Sequence, residues 1–410
     1  MNFIMLSLDM VIVTMTTFAS FVMLITLFKN RGRLFTDPKP DRFPSVTIAV
    51  PAHNEEKNLG NVVEHLLNLD YPSKPEIIIV NDGSTDRTRE IAESLIKKYH
   101  NIRLVNRKEK SGIKAIPVNE ALKQANGEVF GFCDADVFME RNSLKNMIGY
   151  FNDEKVAAVI PMQKVYQPKN FLERLQKLEY ILTSLAKKLL TFLNCLYLTP
   201  GCAFYRADVL RKIGGFDEKN LTEDLEIGLR LHKHGYRIEN SVNSIVHVIV
   251  PGTFRKLTRE RIRWFRGLMY NLRKHRSLFF EKSDFGLYLM PAILAGGILT
   301  ILLFFFMIMI AAFDSTYSSW ILLTGIILSG YDISLILPKL SFEPNIFFLL
   351  SVFFLFLFSI NIYFSKKVSG ESIRSSLVDA LVFLVIYSPL LSFWWMASIL
   401  QEILRVKKKW

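Results

Sequence analysis

Two blocks of apolar sequence limit what this chain can become. Residues 3–28 carry a single charge, Asp9, and residues 286–364 carry four, Asp314, Asp332, Lys339 and Glu343. About 20 apolar residues suffice for a helix to cross a bilayer, and five stretches qualify: 3–28, 285–313, 317–337, 345–364 and 378–401. Lys29, Arg31 and Arg33 follow the first, which places the middle of the chain on the cytoplasmic side. A secretory signal would have its basic residues first and a shorter apolar core. The expectation is a multi-pass protein of the cell membrane. Residues 1–30 form an N-terminal anchor, 31–284 a cytoplasmic domain, and 285–410 a membrane domain of about four spans. By counting, SKKVSGESIRSS at 365–376 falls outside, against the positive-inside tendency, whereas the terminal RVKKKW falls inside. Asp332 either faces a lumen or lies near a span end.

The formal charge is +13, with 51 Lys and Arg against 38 Asp and Glu. That excess raises nucleic acid as a partner, but the basic clusters border the apolar runs, so topology accounts for them and nucleic acid is set aside. Cys133, Cys195 and Cys202 have no metal-ligand spacing and fit a reducing compartment.

Between about 44 and 280 the pattern becomes that of an α/β domain. Strands are predicted at 46–50, 76–80, 102–106 and 129–133, with helices near 55–69, 86–98 and 113–125 between them. Strand and helix in alternation imply a parallel sheet, with ligands at the carboxyl ends of the strands. The loops PAHNEE, NDGSTD and CDAD fall there. Neither a dinucleotide glycine fingerprint nor a GxxxxGK loop is present, so any nucleotide is held another way. Residues 171–198 have an apolar helical face with Arg174, Lys177, Lys187 and Lys188 at polar positions, which fits a helix in the membrane interface; a core helix of the central domain is the competing reading.

Asp82 ends the second strand, where its carboxylate can accept from a base N–H, while Ser84, Thr85 or Asp86 can cap the next helix. Lys114 offers a point charge to a diphosphate, or is a plain surface lysine. Asp134 and Asp136 follow a buried run; strand alternation would put both carboxylates on one side, a hard oxygen cluster suited to Mg²⁺ or Mn²⁺. Thr222-Glu223-Asp224 opens an amphipathic stretch. Thr222 can cap it, and Asp224 is alternatively a general base toward an acceptor hydroxyl. A basic, aromatic cluster over 259–267, in a second interfacial helix near 255–280, ends the domain.

In order, Pro51-Ala-His-Asn54-Glu55, NDGSTD at 81–86, DAD at 134–136, GGFDEKNLTED at 214–224 and RIRW at 261–264 resemble the membrane-embedded inverting glycosyltransferases of family 2. The resemblance covers about residues 44–270, and is to the branch holding cellulose, chitin, hyaluronan and poly-N-acetylglucosamine synthases. It implies a GT-A-type domain between membrane helices, a UDP-sugar donor, a Mg²⁺ or Mn²⁺ ion, and a polysaccharide or lipid acceptor. Pro51, Asn54, Glu55 and Asp82 would line the nucleotide pocket, with Lys114 and Asp134 near the diphosphate. Asp136 would contact the metal with Asp134 beside it, Asp224 would be the base next to Glu223, Arg263 would neutralise the diphosphate, and Trp264 would carry the acceptor sugar. Gly201, Cys202 and Arg206 match a segment beside the acceptor. Two positions depart: Glu260 stands where the last motif usually has Gln or Arg, and Ile113 separates Gly112 from Lys114. The competing functions are single transfer to a lipid, and a non-catalytic nucleotide-sugar-binding subunit of a transport complex.

Overall fold

The computed structural model describes residues 2–299, 301, 302, 305, 346–372, 382–404 and 406. Its centre is a mixed sheet in the order β3-β2-β1-β4-β7-β6-β8-β5. Strands β1 (Val46–Ala52), β2 (Glu76–Asp82), β3 (Ile102–Arg107) and β4 (Val129–Phe132) pair in parallel. These are the four strands expected from sequence. Runs such as Ile77 to Val80 are buried on both faces, as a parallel strand covered by helices on each side requires. The remaining half was not read beforehand: β5 (Val137–Met139), β6 (Val156–Val165), β7 (Phe204–Arg206) and β8 (Arg237–Val248). Here β7 runs antiparallel to both β4 and β6, β6 pairs with β8 in parallel, and β5 closes the far edge antiparallel to β8.

Helix α1 spans Asn2–Lys29. Helices α2 (Leu59–Leu67), α3 (Thr88–Lys98) and α4 (Ala115–Gln124) cover the parallel strands, and α2 buries Leu59, Val62, Val63 and Leu66, a stripe at helical spacing. Short α5 (Ser143–Ile148) and α7 (Ala207–Lys212) follow β5 and β7, and α8 (Glu223–Lys233) precedes β8.

Helix α6 (Phe171–Phe192) begins with a reciprocal cap, in which Glu173 N donates to Asn170 Oδ1 at 2.9 Å and the Glu173 carboxylate returns to the Asn170 backbone. It lies against β6 and β8 and also packs on α10 (Ile346–Ser369). The core-helix reading of this segment therefore describes its inner face. Lys188, expected at a polar outward position, is 1% exposed; its ammonium donates to Tyr150 Oη and to the Asn240 carbonyl, each at 2.9 Å. The apolar stripe of α6 is wider than its sequence pattern suggested because the sheet covers one side and α10 another.

The connector after α1 is tied to the sheet by Asp37, whose carboxylate accepts from Tyr150 Oη at 2.7 Å, Val242 N at 3.0 Å and Asn243 N at 2.9 Å. Helix α9 (Phe254–Lys274), capped by Thr253, packs against α8 and α11 (Ser388–Ile403). Of the expected spans, 317–337 lies wholly outside the described residues, as does part of 285–313 and of 378–401. Helices occupy 3–28 and 346–364, many of whose side chains also lie outside the described set; among the described residues, no helix is long and apolar enough to cross a membrane.

Candidate active site

One cavity of about 700 Å³ opens at the carboxyl ends of β1, β2 and β4, and is closed from the other side by α6, α8 and α9. Its wall includes Pro51, Glu55, Asp82, Lys114, Asp134, Asp136, Gly201, Glu223, Asp224, Arg263 and Trp264. The chain brings these together from positions more than 200 residues apart because each lies at a strand end or on a helix facing that edge.

Asp82 is the last residue of β2. Its carboxylate accepts from Ser111 N at 3.0 Å and Ser111 Oγ at 2.6 Å and pairs with Arg107 at 2.9 Å, so it fastens the 107–111 loop at the cavity rim. Gly83 next to it adopts φ +62°, and a side chain there would run into the backbone of Glu109 and Lys110. Asp86 behaves as a helix-capping residue, accepting from Thr88 N at 3.0 Å and Thr88 Oγ1 at 2.6 Å.

Asp134 and Asp136 share the cavity, but not by strand alternation. β4 ends at Phe132, and the two carboxylates are carried by the turn into β5. The turn is held by Val137 N donating to the Asp134 carbonyl at 3.0 Å and by packing of the loop at Gly201, where a side chain would meet the Asp134 carboxylate. Lys114 bridges to Asp134 and lies 3.5 Å from Glu223. Burial works against its charge, but the two carboxylates outweigh that and raise its pKa. Burial, then the charges of Asp134 and Glu55, push Asp136 up to about 7.

Asp224 stands in the first turn of α8 and accepts from Leu225 N at 2.9 Å. Its carbonyl takes Thr199 N at 3.3 Å and Thr199 Oγ1 at 2.6 Å, fixing the 199–201 loop that also supports Asp134. Thr222 begins α8 without capping it; its hydroxyl instead accepts from Asn271 of α9 at 3.0 Å. Close approach of Gly267 to Thr222 sets α9 against this turn. On α9, Arg263 donates to the Leu221 carbonyl at 3.2 Å, and the Arg261 guanidinium lies 3.9 Å from the Trp264 ring centre.

Three sequence-predicted residues do not line the cavity. Asn54, at φ +57°, accepts from Thr85 N at 2.9 Å and links the first two loops. Cys202 is fully buried with its thiol 3.3 Å from the Cys133 sulfur. Arg206 points beneath the sheet and donates to the carbonyls of Val156 at 2.9 Å and Asp153 at 3.0 Å. Asn54 and Cys202 sit in bends with left-handed backbone, φ +57° and +76°, which turn their side chains from the course of the neighbouring wall residues. Sequence reading missed His53, Gln163, Glu179, Tyr180, Thr183 and Lys187, all in the wall. His53 lies inside the first loop motif and could have been flagged, whereas the α6 residues carry no motif.

Among the described residues, no group of three or more His, Cys, Asp or Glu side chains is placed to hold a metal ion. The donor set is the Asp134–Asp136 pair. Mg²⁺ commonly takes only one or two carboxylates, with substrate phosphates and water completing its shell. Burial and the neighbouring carboxylates of Asp134 and Glu55 both disfavour the charged form of Asp136, and a cation bound between the acids would relieve this. The residues present thus fit a hard divalent ion that arrives with a phosphate-bearing ligand.

The family described as "Glycosyl transferase family 2" matches residues 47–214, and "Glycosyl transferase family group 2" matches residues 132–401. The chain belongs to the glycosyl transferase family group 2, and its sheet is of the GT-A-like α/β mixed kind. Among its relatives are a "Probable glycosyltransferase YdaM" of Bacillus subtilis, 33% identical over 252 residues, covering 58% of this chain and 58% of the relative. A "Beta-monoglucosyldiacylglycerol synthase" of Synechocystis is 31% identical, covering 55% of this chain and 48% of the relative. A "Poly-beta-1,6-N-acetyl-D-glucosamine synthase" of Staphylococcus aureus is 29% identical, covering 58% and 59%. The chain therefore spans about half to three-fifths of the length of these curated relatives. The solved mannosyltransferase PcManGT of Pyrobaculum calidifontis, in complex with GDP-Man and Mn²⁺, superposes with a TM-score of 0.58 at 18% identity, covering 98% of this chain and 100% of that one; the likeness is one of fold.

Proposed function

We propose that this enzyme moves a sugar from a UDP-sugar to an acceptor hydroxyl in one inverting step at the cytoplasmic face of a membrane, as a polysaccharide synthase that also exports its polymer. The observation that carries the reading is that Asp134, Asp136, Lys114, Asp224, Arg263 and Trp264 wall a single cavity. Asp82 and Pro51 border the nucleotide end. Lys114 and Arg263 supply positive charge where a diphosphate would lie, and an ammonium or guanidinium there favours departure of the nucleoside diphosphate. Asp134 and Asp136 would hold Mg²⁺ or Mn²⁺, which, when bound, stabilises negative charge on the leaving diphosphate. Asp224 accepts the proton of the attacking hydroxyl, with Glu223 kept close by Lys114. The Trp264 ring gives an acceptor sugar an apolar face to stack on. Attachment to a bilayer is supported by exposed Phe18, Phe21, Ile25 and Phe28 on one helix and by Val352 and Phe356 on another. The test is UDP release in detergent with manganese and a panel of UDP-sugars, read with product analysis. Asp224→Asn should lower kcat by about 10²- to 10⁴-fold; full activity in that variant overturns the assignment of the base.

A second reading, transfer of one sugar to a lipid acceptor, draws on the apolar stretch Val248 to Pro251 with Phe265 and Leu268 in the acceptor half of the cavity. A ladder of oligosaccharides supports polymer synthesis, and a single glycolipid product supports the lipid reading.

A further inference from the structure

Helix α6 brings one cation into the cavity that none of the roles above uses. Lys187 is partly buried and lines the cavity together with Thr183, Gln163 and Glu179. Its ammonium donates to the neutral Gln163 Oε1 at 3.0 Å, and among the described residues no carboxylate comes within ion-pair distance. The contrast with its neighbours is sharp. Lys114 has Asp134 and Glu223, and the ammonium of Lys188 donates to Tyr150 Oη and to the Asn240 carbonyl. A partly buried ammonium with no carboxylate in direct contact is held at a cost, and a ligand that brings a negative charge into the cavity offsets it. Burial lowers its pKa to about 8, against the favourable charges of Glu179 and Asp224, so the group is still mainly cationic near neutrality. Glu179 and Asp224 are the carboxylates whose charge it feels, and Glu179 in turn pairs with the Arg261 that lies over the Trp264 ring, which ties Lys187 to the base and the aromatic residue assigned to the acceptor.

We propose that Lys187 is the acceptor-recognition cation of this enzyme, binding an anionic oxygen group, phosphate or carboxylate, carried by the acceptor beside its reacting end. The inference rests on the glycosyl-transfer reading above and names the acceptor class for that site. The apolar residues Val248 to Pro251 in the wall of the same cavity suit a lipid phosphate; a uronate-bearing saccharide presents the same charge without the apolar part.

The test compares the unmodified protein with Lys187→Met and Lys187→Arg on three acceptors: a short polyprenyl monophosphate, a uronate-containing oligosaccharide and a neutral oligosaccharide. UDP affinity, measured by calorimetry, checks that the donor half is folded. Lys187→Met should raise the KM of an anionic acceptor about tenfold or more, as loss of a charge-assisted hydrogen bond does, with the effect on KM rather than kcat. Lys187→Arg should restore most of it, and the neutral acceptor should be indifferent. Sensitivity confined to the polyprenyl phosphate identifies a lipid source, and sensitivity confined to the uronate a saccharide source. An equal change for all three acceptors, an unmoved KM, or a fall in kcat alone overturns the inference. UDP release that is absent in the unmodified protein contradicts the donor assignment itself, a result distinct from any of these.

Discussion

The Arg261 guanidinium lies 3.9 Å from the centre of the Trp264 ring and is itself 1% exposed. It pairs with Glu179 of α6 at 2.5 Å and with Glu260 at 2.8 Å, and its Nε donates to Tyr387 Oη at 3.3 Å. One buried cation thus joins α6, α9 and the segment before α11, and sets the tilt of the ring assigned to the acceptor. Glu260, the departure from the usual motif, is explained by this pairing: the carboxylate answers Arg261 one position along the same helix.

Replacing Arg261 with Met leaves two carboxylates without their cation. Breaking a buried pair in this way costs about 3–5 kcal/mol, so the thermal unfolding midpoint should drop clearly, and Arg261→Lys should recover only part because a single ammonium cannot bridge both acids and stack on the ring. An unchanged midpoint in Arg261→Met would show that this cluster does not hold the helices together.

Gly201→Ala places a methyl group against the Asp134 carboxylate. The displacement should lower kcat/KM by about ten- to a hundredfold, the order expected for misplacing a reacting group by about 1 Å. Activity at increasing manganese concentrations reads it, and wild-type rates would mean that Asp134 need not stay where it is.

Glu226, on α8 two residues after Asp224, is 1% exposed and pairs with Arg230 at 2.7 Å, Lys274 at 2.8 Å and His275 at 3.2 Å. Burial works against its charge, but these partners outweigh it and lower its pKa to about 2. A folded-state pKa below the unfolded value means that the stabilisation is complete above about pH 4.5 and is lost as pH falls toward 2. The shift is worth ~3 kcal/mol. Acid unfolding should therefore be steep in this window, and Glu226→Gln should flatten it while destabilising the protein near neutrality. Identical acid limbs in the two proteins would count against the assignment.

Arg206→Ala separates the two readings of that residue. Since Arg206 holds the carbonyls of Val156 and Asp153 rather than facing the cavity, the variant should unfold at lower temperature by the equivalent of about 1–3 kcal/mol with acceptor KM unaltered. A raised KM at unchanged stability would restore it to the acceptor site.

The parallel half of the sheet could be read from sequence because Val46 to Val50, β-branched except at Ala49, and Ile77 to Val80, β-branched throughout, are followed by turn residues, and their loops carried the acids. The other half could not. Strands β5 and β7 are three residues each, too short for any periodicity, and β8 places Asn240 and Ser241 in buried positions, where Lys188 donates to the Asn240 carbonyl and Asp37 accepts from the Ser241 hydroxyl. The site followed the same division. Asp134, Asp136 and Asp224 belong to motifs, so their shared cavity was foreseeable, although the Asp134–Asp136 geometry comes from a turn and not from a strand. Glu179 and Lys187 enter only because α6 folds back over the sheet, which no local pattern announces. Asn54, Cys202 and Arg206 lie within recognisable segments but do not line the cavity, the first two because they sit in left-handed bends and the third because its guanidinium is taken by backbone carbonyls.

The central claim is that Asp134 and Asp136 hold a divalent ion against the diphosphate of the donor, within reach of Asp224. Anomalous diffraction from crystals of the protein grown with UDP and Mn²⁺ tests it most directly. The account predicts one manganese peak bonded to at least one oxygen of Asp136 and to diphosphate oxygens, with Arg263 or Lys114 on the same diphosphate. A manganese ion bound elsewhere, or UDP seated with its diphosphate turned away from both acids, would contradict it.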